Sequence, residues 1–232
     1  MSVLDTRPLL AVLVKDEEMA ATIPRQSNIR KFTKPSENLL TDYNKIFVSV
    51  SLHDLSEVSD FIKKANDKNH LKFLLVRDVD ASNLLPQFLY RANLRTLRNT
   101  IVHSDPNVLP RILNAYSIQA EHELIADARV VNNHLIVLNC TGDIYDVPFE
   151  ALKTFGIHDL RNFEVEEDGS YLYWPTLDLH LDIQGIREIT DAAFREKARI
   201  ERLQSDSAFG RAESTIPDLS AFKEDSKIFS MI

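Results

Sequence analysis

The chain has 232 residues and a formal net charge of −8, with 44% hydrophobic and 27% charged residues, an ordinary composition for a soluble globular protein. No apolar run approaches the ~20 residues of a membrane helix, and no basic segment followed by an apolar run marks a signal peptide. The single Cys140 excludes an internal disulfide. These features predict a cytoplasmic protein with no membrane partner.

Charge is distributed unevenly along the chain. Residues 1–120 carry 16 Lys and Arg against 13 Asp and Glu, whereas residues 121–232 carry 11 against 22. An acidic second half repels phosphate, which disfavours nucleic acid as a partner. The five glycines are too few to suggest a glycine-rich nucleotide loop.

The first half of the chain alternates predicted strands with predicted helices. Short apolar runs predict strands at residues 9–14, 46–50 and 72–76. The predicted helices cover residues 19–23, 53–66, 82–103 and 108–117. Residues 24–44 are polar and are predicted to be mostly loop. This order favours a small α/β layer with parallel strands.

The second half begins with features typical of antiparallel strands. Strands are predicted at residues 124–131, 134–140 and 143–147. Asn132 and Asn133 form a two-residue turn between the first two strands, since Asn tolerates the left-handed conformation. A short helix is predicted at residues 148–155, with a proline at its start.

Residues 163–183, FEVEEDGSYLYWPTLDLHLDI, predict a hairpin that completes the antiparallel sheet. Asp168 and Gly169 form its turn, because glycine adopts positive φ without steric cost. An aromatic return strand ends at Pro175, which has no amide donor for a sheet. Beyond it, leucines alternate with polar residues at a period of two, and a closing helix is predicted at residues 185–204.

This hairpin resembles a bacterial family described as domain of unknown function 2442. The residues that carry the resemblance are Asp168, Gly169, Trp174, Pro175, Asp178 and His180. The resemblance covers roughly residues 121–197 and implies a small α+β domain. Related domains often accompany helix-turn-helix modules or toxin–antitoxin genes, which implies regulation or complex formation. The family has no established catalytic residues.

The resulting plan is an α+β protein in three parts. We expect a small α/β domain at residues 1–118, an α+β domain at residues 119–204 and a flexible tail at residues 205–232. The tail keeps apolar side chains, including Phe229 and Ile232. We expect these to dock in a groove of this chain or of a partner.

Acidic residues follow two of the predicted strands. Asp16, Glu17 and Glu18 come after the first strand, and Asp78 and Asp80 come after the third. Carboxylates at strand ends could hold Mg²⁺ for phosphoryl transfer. The pattern loosely resembles the topoisomerase–primase fold and receiver domains. It lacks the glycine-rich connections of the former and the phosphoacceptor Asp and late Lys of the latter. The alternative is that these acids stabilise helix N-termini.

Three arginines form a second candidate site. The spacing of Arg91, Arg95 and Arg98 places them on one face of the predicted helix. They could contact phosphates or an acidic partner surface, or they could form an ordinary solvated face. The absence of a glycine-containing turn before them argues against a DNA-recognition helix.

The remaining reactive side chains do not predict a metal or a cofactor. The seven histidines are scattered, and none pairs with another His or with Cys140 at ligand spacing. Cys140 lies in an apolar strand and is expected to be a buried structural thiol. His180, between Asp178 and Asp182, is either a weak acid–base group or part of a polar strand face. Trp174 is expected in the core or at an interface.

The leading hypothesis is a bacterial regulatory or assembly factor without enzymatic activity, acting by protein–protein interaction and able to form homo-oligomers. The residues assigned to partner binding are Trp174, Pro175, Asp178, His180, Arg91, Arg95, Arg98, Phe229 and Ile232. Two alternatives stay open. One is a nucleic-acid-associated transcriptional regulator, and the other is a Mg²⁺-dependent phosphoryl-transfer enzyme that uses the acidic strand ends.

Overall fold

The computed structural model describes residues 8–77 and 84–213, with side chains through residue 202. Asp78 and Asp80 of the acidic pattern, and Phe229 and Ile232 of the tail, therefore lie outside the described residues, as does most of the predicted tail. Within the described part, a parallel sheet occupies the first half and antiparallel sheets the second, so the predicted α+β class is confirmed.

The parallel sheet contains five strands in the order β2-β1-β3-β4-β5. Their bounds are β1 Leu10–Val14, β2 Ile29–Phe32, β3 Ile46–Ser51, β4 Leu71–Arg77 and β5 Thr100–His103. The runs β1, β3 and β4 are almost continuously apolar because both faces of a central parallel strand are covered. The order is that of flavodoxin-like doubly wound sheets.

Helices cover both faces of this sheet. They are α1 Glu17–Thr22, α2 Glu37–Asp42, α3 Leu55–Asp67, α4 Leu85–Arg91 and α5 Val108–Ile118. Successive side chains of β1 point to opposite faces of the sheet and so enter two different hydrophobic clusters. Leu10, Val12 and Val14 share a cluster with side chains of α1 and α5. Ala11 and Leu13 share the other cluster with side chains of α2 and α3.

Two predictions for the first half were wrong. Residues 24–44, predicted as loop, contain β2 and α2, whose few apolar side chains lie in the core. The single helix predicted at residues 82–103 ends at Arg91, because the chain turns at Asn93, which adopts a left-handed conformation with a φ of 54°. The β-branched run that follows pairs with β4 as the edge strand β5.

The antiparallel part consists of two separate three-stranded sheets, where the sequence predicted one. The first contains β6 Ile125–Val131, β7 His134–Asn139 and β8 Ile144–Pro148, and the second contains β9 Glu164–Val165, β10 Leu172–Trp174 and β11 Leu179–Leu181. Asn132 and Asn133 have φ of 47° and 65°, which confirms the predicted turn. The hairpin of β9 and β10 is also confirmed.

Helices close the second half. Helix α6 spans Phe149–Lys153, and the predicted closing helix is two helices, α7 Ile183–Thr190 and α8 Ala192–Glu213. They are separated because the Asp191 carboxylate accepts hydrogen bonds from the Ala193 and Phe194 amides and so begins α8. Helix α8 extends beyond the predicted end at residue 204.

The chain divides into two compact units. Met1–Thr190 forms one unit and Asp191–Ile232 a second. Helix α5 ends at the predicted boundary, where Gln119 has a φ of 60°, yet the sheets before and after it lie in the same unit. Independent folding of residues 1–118 and 119–204 stays a prediction. Among the described residues, no helix is long and apolar enough to cross a membrane.

We predict that Gly169→Ala destabilises the protein more than Gly156→Ala. Both glycines have positive φ, of 81° and 83°, so both substitutions carry similar backbone strain. At Gly169 a Cβ would also overlap the Ile125 carbonyl oxygen, whereas nothing lies within 4 Å at Gly156. The added clash should lower the free energy of unfolding by a further 1–3 kcal/mol, roughly, measured by urea denaturation. Equal losses in the two variants would contradict this packing.

Candidate functional site

A buried arginine joins the parallel sheet to the antiparallel part. Arg111 of α5 is only 4% exposed. Its Nη1 donates to Asp105 Oδ2 at 2.7 Å and to the Ala126 carbonyl at 3.3 Å. Its Nε and Nη2 donate to the carbonyls of Glu166 and Val165, both at 3.1 Å. One guanidinium therefore holds the loop after β5, strand β6 and the β9 hairpin together.

His103 supports the same loop from the end of β5. The ring is 3% exposed, and its Nδ1 lies 2.8 Å from the Asp105 carbonyl oxygen. Since a carbonyl can only accept, Nδ1 carries the proton. Burial lowers the pKa of His103 and outweighs the nearby acceptors that act to raise it, so the ring is neutral near pH 7. Its role in this geometry is to position the loop.

The carboxyl edge of the parallel sheet carries an ion-pair cluster. Arg77, the last residue of β4, donates to Asp16 Oδ2 at 2.6 Å and to Glu18 Oε2 at 2.8 Å. Asp16 also caps α1, accepting from the amides of Glu18 and Met19. Burial acts to raise the pKa of Asp16, but the hydrogen bonds from Arg77 and the two amides together lower it.

The ion pairs of this cluster involve two of the carboxylates that the sequence offered as Mg²⁺ ligands. Two of the three acids after β1 are already paired with the Arg77 cation, and Asp16 also caps a helix, as the alternative interpretation expected. Among the residues that the structure describes, no three His, Cys, Asp or Glu side chains converge as metal ligands. Asp78 and Asp80 fall in the gap between the described ranges.

The three predicted arginines do not share a helix face. Arg91 ends α4, whereas Arg95 and Arg98 lie in the connection to β5. Arg95 packs over the Tyr90 ring, with its Cζ 5.4 Å from the centroid. Arg98 instead lines a cavity on the side of β4 and β5. The helical interpretation of the spacing failed because the left-handed Asn93 ends the helix before the second arginine.

The strongest surface feature is the outer face of β10 and β11. Tyr173 pairs with His180 across the strands, and their rings stack with centroids 4.7 Å apart and planes 13° apart. Tyr171 packs edge-on against His180 at 4.5 Å. The Tyr173 hydroxyl lies 3.4 Å from Asp178 Oδ1. His180 is exposed, whereas Tyr171 and Tyr173 are half-buried, so the cluster is partly open to solvent.

The turn between β10 and β11 extends the same surface. Pro175 and Asp178 are exposed, and Leu177 is 39% exposed. Asp178 has a φ of 48°, a left-handed conformation that Asp adopts more readily than most residues. We define the hairpin face as Tyr171, Tyr173, Pro175, Leu177, Asp178 and His180.

The opposite side of the hairpin is core. Trp174 is fully buried, tilts against Phe163 at 5.5 Å and donates its indole N–H to the Asp159 carbonyl at 2.9 Å. Of the two sequence interpretations, core or interface, the structure places Trp174 in the core. Tyr171 and Tyr173 were not predicted as site residues, although their alternation with Leu172 and Trp174 signals an outward face.

Two other residues considered in the sequence, Cys140 and Asp182, contribute to the fold. Cys140 is free and buried, and burial raises the pKa of its thiol to about 12, in line with the structural thiol expected. The Asp182 carboxylate accepts from the Gly185 amide at the start of α7, so it belongs to that helix start and not to a strand face with His180. The three-residue polar face predicted around His180 is thus reduced to Asp178 and His180.

We predict that Arg111→Met lowers the free energy of unfolding by about 3–5 kcal/mol, because the buried carbonyls and Asp105 lose their donor. The matched control is Lys64→Met, which removes an exposed ion pair with Glu37 and should cost far less. Chemical denaturation of both variants measures the difference. Similar losses would show that Arg111 does not hold the junction.

We predict that Asp16→Asn destabilises the protein at pH 7 by about 1 kcal/mol, since Asn keeps the cap but loses the charge that Arg77 contacts. Folding lowers the pKa of Asp16 below its ordinary 3.8. The carboxylate therefore contributes its full stabilisation of the fold above pH 3.8, and this stabilisation is lost as the pH falls through the folded-state pKa. The difference from wild type should shrink as the pH falls below 3.8 in pH-dependent melting. Glu17→Gln on the same helix turn is the control, and a pH-independent difference would contradict the ion pair.

Comparisons with known proteins locate one similarity. Residues 125–190 match the family model described as "Protein of unknown function (DUF2442)", which confirms the resemblance seen in the hairpin. No curated protein and no solved structure matches the chain. The match contains β6 to α7, and therefore the hairpin face, so this part of the chain is similar to a family whose function is itself unknown.

Proposed function

We propose that this protein acts as a regulatory or assembly factor that binds a protein partner through the hairpin face. The observation that carries the proposal is the stack of the half-buried Tyr173 on the exposed His180, bordered by Tyr171. Tyrosine offers a large contact area with few rotatable bonds, which is why it is enriched in protein interfaces.

The hairpin face is already formed in the chain by itself. The backbones of β10 and β11 are paired through Tyr173 and His180, and Trp174 anchors the other side in the core. A preformed surface loses little conformational entropy on binding. Because the fold is stabilised from the buried side, the outward rings are not needed for the core.

The charge around the hairpin face indicates the kind of partner. Glu164 lies beside Tyr173 in the strand register and is exposed. Glu167, Asp168 and Asp178 are exposed in the adjoining turns. An aromatic centre with an acidic rim is complementary to a protein surface rich in Lys or Arg. The same rim repels nucleic-acid phosphate, which disfavours the transcriptional-regulator alternative.

We predict that the double variant Tyr173→Ser/His180→Ser loses partner capture while it keeps the fold. The test uses full-length bait and lysate of the source organism, with captured proteins quantified by mass spectrometry. The amount of a partner that the wild-type bait recovers should fall at least tenfold with the double variant, roughly the effect of losing one interface hot spot. Its recovery should also decrease at higher salt, since the acidic rim contributes.

The control bait is Phe155→Ser, which alters a side chain that is 51% exposed and lies outside the hairpin face. It should capture the partner as well as wild type does. Melting temperatures of all baits establish that each is folded. If wild type, the double variant and the control recover the same proteins in the same amounts, the hairpin face is not the binding surface.

A further inference from the structure

A cavity of about 700 Å³ lies between the parallel sheet and the β6–β8 sheet, within the unit formed by Met1–Thr190. One wall comes from β4, β5 and α5, and the other comes from β6, β7 and the turn before β8. Its size is in the range of sites that bind small molecules, and such sites often occur where two sheets or domains meet.

Much of the cavity wall is apolar and aromatic. Phe73 and Tyr116 contact each other edge-on, with ring centroids 6.4 Å apart. Ile136, Leu138 and Ile144 line the cavity from the β6–β8 sheet. Burial raises the pKa of Tyr116 to about 12, so its phenol is neutral under ordinary conditions. These side chains form a surface suited to a flat hydrocarbon or aromatic group.

The charged residues of the wall are mostly cations. Lys72, Arg98 and Arg129 line the cavity, with Asp127 as the single acid among its lining residues. Lys72 and Arg98 form no ion pair with the residues that the structure describes. Arg129 approaches Asp127 only at 3.6 Å, and burial raises the pKa of that carboxyl group. The lining is therefore cationic in a chain whose net charge is −8.

We propose that this cavity binds a small organic anion that combines an apolar or aromatic body with a carboxylate, sulfonate or phosphate group. The anionic group would contact Lys72 and Arg98. The apolar body would lie against Phe73 of one wall and Leu138 of the other. Arginine and lysine at a partly enclosed apolar wall bind such anions more strongly than in open water.

This site is distinct from the hairpin face. None of its lining residues belongs to β10 or β11. Its two walls belong to the parallel sheet and to the segment similar to the DUF2442 family, so a bound ligand would contact both. By mass action, a ligand that binds only the folded protein also stabilises it.

The probe for this site is 8-anilinonaphthalene-1-sulfonate, a fluorescent anion with an aromatic body, titrated into the full chain. Its neutral analogue N-phenyl-1-naphthylamine has the same rings without the sulfonate. We expect saturable binding of one sulfonate probe per chain, and binding of the neutral analogue that is at least tenfold weaker, roughly the effect of losing one charge-assisted contact.

Three variants locate the bound probe. Lys72→Gln/Arg98→Gln removes two cavity cations and should weaken sulfonate binding roughly tenfold or more. Arg91→Gln/Arg95→Gln makes the same change of charge outside the cavity and should leave the affinity unchanged. Ile144→Asp places an anion at a lining position that is 68% exposed, so it should weaken binding without disturbing the core.

Several results would overturn the proposal. One is the absence of saturable binding, and another is equal affinity for the charged and neutral probes. A third is that Lys72→Gln/Arg98→Gln and Arg91→Gln/Arg95→Gln weaken binding of the sulfonate probe equally. Melting curves establish that each variant is folded. If the Lys72/Arg98 variant does not fold, Ile144→Asp decides, and unchanged probe affinity in that variant contradicts binding in the cavity.

Discussion

The guanidinium of Arg111 is the interaction on which the arrangement of the two halves depends. It is buried, and it donates to one carboxylate and three backbone carbonyls from three separate segments. A buried cation is costly unless its donors are satisfied, so the segments that supply its acceptors are held in place. This junction holds the β9 hairpin against the loop after β5 and against strand β6.

The carboxyl edge of a doubly wound parallel sheet is the usual place for a ligand, beside the point where the strand order reverses. Here Asp16, Glu18 and Arg77 form an ion-pair cluster at that edge. The Arg77 cation offsets one of the two negative charges, and Asp16 also caps α1. The cationic cavity, by contrast, is lined from the starts of β4 and β5.

The alternating side chains of the β10–β11 hairpin supply both the core and the outer surface. Alternate side chains of a strand point to opposite sides, so Leu172 and Trp174 enter the core while Tyr173 faces outward. The cross-strand partner of Tyr173 is His180, and their stacking turns two isolated side chains into one continuous surface. Behind this surface, the buried Trp174 attaches the hairpin to the core through its hydrogen bond to the Asp159 carbonyl.

The sequence by itself determined the elements whose signals are local. The apolar run of β4, the amphipathic pattern of α3 and the Asn132–Asn133 turn need no distant contact to be recognised, and the Asp168–Gly169 hairpin carries the family resemblance. Only the tertiary structure decided that residues after Arg91 form an edge strand, since β5 is stabilised by pairing with β4. It also decided the partners of Arg111 and the composition of the cavity, because these contacts join residues far apart in the chain and leave no spacing pattern to read.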